Sequence, residues 1–127
     1  MHTDYQNFSS YIKALRHNNN ISLRAAASEL KITAAYLCDL ENGKRPAPIT
    51  LLEEMIELYG ISDLDHFYDL VGKSRGEVPP DIAAYLMDNE DARTAIRRGM
   101  ENEVDWKNII KLIIKQTLNV NSCCRCS

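Results

Sequence analysis

The sequence predicts an all-α fold, and three observations carry that expectation. Apolar residues recur at helical spacing, no segment alternates at period two for long, and Asn, Gly and Pro punctuate the chain about once per helix length. No internal repeat is evident. The 127 residues are 45% apolar and 26% charged, the balance of an ordinary globular protein rather than a disordered one.

The elements follow in order. From Tyr5 to Arg16, Phe8, Tyr11, Ile12 and Leu15 stand at i, i+3, i+4 and i+7, one face of a helix, and Asn18-Asn19-Asn20 ends it. Ser22 offers an N-cap for a helix from Leu23 to Leu30, with Ala26, Ala27 and Leu30 inward. Thr33 offers the next cap, for Ala34 to Glu41, with Leu37 and Leu40 inward and Asn42-Gly43 as the stop. Lys44-Arg45-Pro46-Ala47-Pro48 reads as a rigid basic turn. Thr50-Leu51-Leu52-Glu53 reads as a capping box for a fourth helix ending at Tyr59 before Gly60, and Ser62-Asp63-Leu64-Asp65 as another for a fifth through Leu70.

Residues 72–80 hold Gly72, Gly76, Pro79 and Pro80 and read as a linker. Beyond it, Asp81 to Met87 is helical, Asp88-Asn89 caps Glu90 to Arg98, and Gly99 ends that piece. Asp105 to Leu118 is the most apolar stretch, wider than one stripe, which predicts burial on more than one side or packing on another subunit. The predicted organisation is a domain over 1–71, a linker over 72–80, a helical dimerisation or partner-binding segment over 81–118, and a flexible tail over 119–127 with Cys123, Cys124 and Cys126.

The net charge of −3 conceals an asymmetry. Residues 1–48 hold six Lys/Arg against four acids, whereas residues 49–127 hold nine against fourteen. A polyanion site is therefore expected at the head only. The Cys-Cys-x-Cys tail lacks the paired spacing of a zinc site, and His17 and His66 are solitary. No phosphate-binding glycine loop, H-E-x-x-H or nucleophile elbow is present, so neither catalysis, nor a cofactor, nor a metal is expected. No stretch approaches the roughly 20 apolar residues that span a bilayer, and Met1-His2-Thr3-Asp4-Tyr5 lacks a basic start and apolar run. A cytoplasmic protein with no membrane partner is the expectation.

Two short helices, Leu23–Leu30 and Ala34–Glu41, joined by a tight turn and each apolar on its inner face, have the form of a helix-turn-helix. The run Ser22-Leu23-Arg24-Ala25-Ala26-Ala27, Leu30, Ile32-Thr33 and Tyr36-Leu37-Cys38-Asp39-Leu40-Glu41-Asn42-Gly43-Lys44-Arg45-Pro46 resembles the Cro/repressor (XRE-type, lambda-repressor-like) domain, over roughly residues 8–70. The resemblance implies a five-helix domain that binds operator double-stranded DNA as a two-fold homodimer, here followed by a small C-terminal helical segment.

Carried over position by position, the resemblance places Thr33, Ala34, Ala35 and Asp39 on the exposed face of the recognition helix, with Tyr36 nearby. Asn42, Lys44 and Arg45 fall on the turn that meets phosphates, and Ser22 and Arg24 at the start of the preceding helix, where the dipole favours an anion. It also implies an internal salt bridge between Arg16 and Glu41. Departures are equally specific. Leu23 stands where many relatives place Gln, and Lys31 stands where many place Gly because the turn favours positive φ. Ala34 and Ala35 carry no hydrogen-bonding group, so direct readout would rest on Thr33, Tyr36 and Asp39, with help from DNA shape.

The leading expectation is a transcriptional repressor. The alternative is a protein-binding module, such as the antitoxin of a toxin–antitoxin pair, with a protein partner held by residues 81–118.

Overall fold

The computed structural model describes the backbone over residues 7–126 and side chains over 7–118. Among these there are eight helices and no strand: α1 (Phe8–Asn18), α2 (Leu23–Glu29), α3 (Ala34–Glu41), α4 (Ile49–Tyr59), α5 (Leu64–Arg75), α6 (Pro80–Asp88), α7 (Glu90–Glu101) and α8 (Trp106–Cys126). The all-α expectation holds. Tyr5 and the side chains of Cys123, Cys124 and Cys126 lie outside the described residues.

Local chemistry sets most helix starts. The Asn7 side chain accepts from Ser10 N–H, Ser22 from Ala25 N–H and Thr33 from Tyr36 N–H, each satisfying a first-turn donor that the helix cannot pair itself. Two starts differ from the sequence reading. The capping box at Thr50 does not form. Helix α4 begins one residue earlier, at Ile49, with Pro48 in extended geometry at its N-cap and no side-chain cap bond. For α5 the cap is Asp63, whose carboxylate accepts from His66 N–H.

Six helices, α1 to α5 and α7, end with one device. Asn20, Lys31, Gly43, Gly60, Gly76 and Glu103 all adopt left-handed φ between 49° and 74°. Behind Lys31, the Ile32 N–H reaches back to the Ala27 carbonyl and the Lys31 N–H to Ser28, which satisfies the last carbonyls of α2. Lys31 therefore holds the strained conformation, at φ 59°, expected where relatives carry glycine.

Two glycines have other uses than the sequence suggested. Gly72 does not open a linker, because α5 continues to Arg75. A Cβ at Gly72 would stand 2.9 Å from the Glu77 carbonyl oxygen and 3.0 Å from Pro79 N, so its bare surface lets the chain fold back on the helix. Gly99 does not end α7. It lies inside the helix, and a Cβ there would stand 2.6 Å from the Trp106 ring. Helix α8 likewise continues past Leu118 to Cys126, through residues that include no Gly or Pro.

The chain divides into two units, residues 1–85 and 86–127. The first has one core, to which α1 gives Phe8 and Ile12, α2 Ala26 and Ala27, α3 Leu37 and Leu40, α4 Leu51, Leu52, Met55 and Tyr59, and α5 Phe67, Leu70 and Val71. Inside it Arg16 and Glu41 form a two-pronged pair, Nε to Oε2 at 2.8 Å and Nη2 to Oε1 at 3.1 Å, and Arg16 Nη1 also donates to the Ile21 carbonyl at 3.0 Å. This ties α1 to α3 and to the turn before α2. Beside it Tyr59 Oη is buried without a hydrogen-bond partner, and burial pushes its phenol up to about 12; the Glu41 carboxylate adds to the shift and Arg16 opposes it. In the second unit α7 and α8 form a hairpin in which Trp106 lies on Gly99 beside Val104.

Candidate nucleic-acid interface

The outer side of the α2–turn–α3 unit gathers most of the residues singled out above. Ser22 and Thr33 are exposed, but each hydroxyl is engaged as a cap, at 3.1 Å from its amide nitrogen. Arg24 is exposed on the first turn of α2. On α3, Ala35 faces outward, whereas Ala34 is half-buried against the core. That differs from the exposed position the resemblance implied for Ala34: it directly follows the cap that turns the chain into α3, and its methyl packs inward.

Tyr36, Asp39 and Arg45 form one cluster. The Arg45 guanidinium stands over the Tyr36 ring, 5.4 Å from its centroid, and Nε lies 3.3 Å from Asp39 Oδ2. The Arg45 side chain remains 58% exposed, so the cluster steers the cation without burying it. The half-exposed Asp39 carboxylate is thus partly neutralised by a neighbour six residues on. The turn that carries Arg45 is itself pinned: the Asn42 N–H bonds Cys38 O at 3.0 Å, and the Lys44 N–H bonds Asp39 O at 2.9 Å. Gly43, at φ 74°, makes the reversal possible. Asn42 is exposed, with its amide 3.3 Å from Cys38 Sγ, and Lys44 is exposed.

Behind this turn lies a cleft of about 330 Å³ that the sequence did not reveal. Ser9, Lys44, Arg45, Ser74, Arg75 and Glu77 border it. Arg75 is held there by Nη1 on the Ala47 carbonyl at 2.8 Å and Nε on Glu77 at 3.4 Å. No periodicity could have found Ser9 and Arg75, because they reach the cleft from opposite ends of the domain's sequence. Its one sequence hint is Gly76, the left-handed stop that fixes where α5 ends and hence where Arg75 stands.

Of the ten residues carried over, Tyr36, Asp39, Asn42, Lys44 and Arg45 are contiguous around the end of α3, with Ala35 on its outer side. Ser22 and Arg24 stand apart, at the start of α2. What this arrangement offers chemically is a rigid array of cations and amide dipoles beside a narrow, small-residue helix face. No group of three or more His, Cys, Asp or Glu that could hold a metal occurs among the described residues, and no described helix is long and apolar enough to cross a membrane.

Residues 7–67 match a family model described as a helix-turn-helix domain. No curated protein and no solved structure matches the chain. The match begins at the Asn7 cap and ends inside α5, so it covers the α2–turn–α3 unit and the core that supports it. Over residues 7–67 the chain is therefore similar to the helix-turn-helix domain family, consistent with the Cro/repressor type.

Proposed function

We propose that the protein is a sequence-specific DNA-binding transcriptional repressor that reads operator DNA as a homodimer. Helix α3 enters the major groove, a cleft wide enough for one α-helix. The observation that carries this reading is the exposed Ala35 face of α3 bordered by the Lys44–Arg45 turn. Small side chains let a helix backbone approach the bases closely, and the cationic turn supplies the phosphate contacts that set its register. With Nε on Asp39, Arg45 keeps Nη1 and Nη2 for a phosphate. Base contacts fall to Thr33, Tyr36 and Asp39, and the outward Ala35 can meet a thymine methyl. Ser22 and Arg24 at the N-terminus of α2 take a second phosphate.

The test is the double substitution Lys44→Ala with Arg45→Ala, assayed on duplex DNA across a salt series. The expected outcome is weaker binding on every sequence and a log–log salt slope shallower by about two, one for each lost phosphate contact. An unchanged slope removes the turn from the interface. A second reading, a protein-binding module such as an antitoxin, draws on the exposed apolar side chains of α8. It requires a heteromeric complex that full-length protein forms and residues 1–75 do not.

A further inference from the structure

The cleft behind the Lys44–Arg45 turn is walled by three stretches far apart in sequence. These are the start of α1 with Ser9, the turn with Lys44 and Arg45, and the end of α5 with Ser74, Arg75 and Glu77. Its volume of about 330 Å³ is that of a small-molecule site. Three cations border it against one acid, Glu77, so the wall carries a surplus of positive charge.

The cations differ in how they are held. Arg75 is the recessed one, its side chain 24% exposed against 58% for Arg45. Its Nη1 is anchored on the Ala47 carbonyl at 2.8 Å, which orients the guanidinium before any ligand arrives. Its Nε meets Glu77 at 3.4 Å, and the Glu77 side chain is 61% exposed. An ion pair that long and that open to water is weak and exchanges for a better acceptor. Once it does, Nε and Nη2 form the side-on edge of a guanidinium, which takes two phosphate oxygens at once. Ser9 adds a hydroxyl donor, whereas the Ser74 hydroxyl is spent on the Val71 carbonyl at 2.8 Å.

We infer that this cleft binds a small compound bearing a phosphate or diphosphate group, and that the ligand competes with DNA for Lys44 and Arg45. A phosphate dianion balances the surplus charge, with two oxygens on Arg75 and another towards the turn. The cations border one concavity from three segments instead of following one ridge, which suits a small ligand better than a duplex. Negative charge lodged behind the turn opposes a DNA phosphate on its outer side, and by reciprocity bound DNA opposes the ligand. The competition rests on the proposed function; the ligand site does not.

The probe is inorganic pyrophosphate, titrated calorimetrically into full-length protein against sodium chloride of equal ionic strength. The expected result is saturable binding of one pyrophosphate per chain with a Kd below about 1 mM. Arg75→Gln should weaken it by at least about tenfold. Glu77→Gln should tighten it by about threefold, a gain that a misfolded variant cannot produce. No saturable heat, or a Kd indifferent to both substitutions, overturns the inference. In a second arm, pyrophosphate should raise the wild-type Kd for a mixed-sequence duplex by at least about threefold over sodium chloride of equal ionic strength, and Arg75→Gln should abolish that excess. An excess that survives Arg75→Gln overturns the competition. A duplex salt slope shallower by about one in Arg75→Gln overturns the small-ligand reading, because the cleft then holds a phosphate of the DNA itself. Protein that binds pyrophosphate through Arg75 but no duplex supports the site and sinks the proposed function.

Discussion

The two units of this chain are both helical, and they are built on opposite terms. Residues 7–75 bury sixteen apolar side chains around one centre and lock a charged pair inside it. Over residues 86–118 the structure buries one glycine. The difference teaches that amphipathic periodicity alone makes helices, whereas a self-sufficient unit needs enough helices to close their apolar faces on one another. Five helices achieve that in the first unit. A two-helix hairpin leaves outer faces open however apolar it is.

The sharpest way to break this contrast is to strike the first unit at its ion pair. Arg16→Ala leaves Glu41 buried and uncompensated, and should cost about 3–5 kcal/mol in urea unfolding. A cost below 1 kcal/mol would mean that water reaches the pair and that the core is less closed than its burial indicates.

A smaller effect comes from pH. The Tyr59 phenol is pushed up to about 12 in the folded protein, from an ordinary value near 10. Between those values the unfolded chain releases the proton and the folded one holds it. The associated stability, roughly 2–3 kcal/mol, is complete below pH 10 and lost as pH rises towards 12. Tyr59→Phe should flatten that limb of the stability curve, and an unflattened curve assigns the alkaline loss to another group.

In the second unit, Gly99→Ala places a methyl against the Trp106 ring and should cost about 1–2 kcal/mol. Trp106 is the sole tryptophan, so its emission reports the hairpin directly. Emission that stays unchanged would show the ring to be only loosely seated on α7. Smallest of all, Lys31→Gly relieves the left-handed backbone at φ 59° and should stabilise the first unit by about 0.5–1 kcal/mol, read as a rise in Tm.

Much of the fold was legible because its signals are local. The α1 and α3 stripes, the hydroxyl caps at Ser22 and Thr33, and the turns at Asn20 and Gly43 each depend on residues within one helical turn. The errors were local rules overruled by neighbours. Thr50 has the residues of a capping box, yet Pro48 starts α4. Gly72 and Gly99 look like breakers, but tertiary packing uses their missing side chains, for a returning backbone and for an indole ring.

The site divides along the same line. From the sequence alone came the helix-turn-helix frame and the basic pair Lys44-Arg45, set by spacing on one short segment, whereas the outward Ala35 was implied by the family resemblance. The Arg16–Glu41 pair came from the family resemblance, not from spacing. Only the tertiary structure decided that Arg45 stands on Tyr36 against Asp39, that Ala34 turns inward, and that Ser9 and Arg75 meet behind the turn. The physical reason is range. Caps and stripes are fixed by hydrogen bonds and burial within a few residues, whereas a cleft is made by side chains that only a finished core brings together.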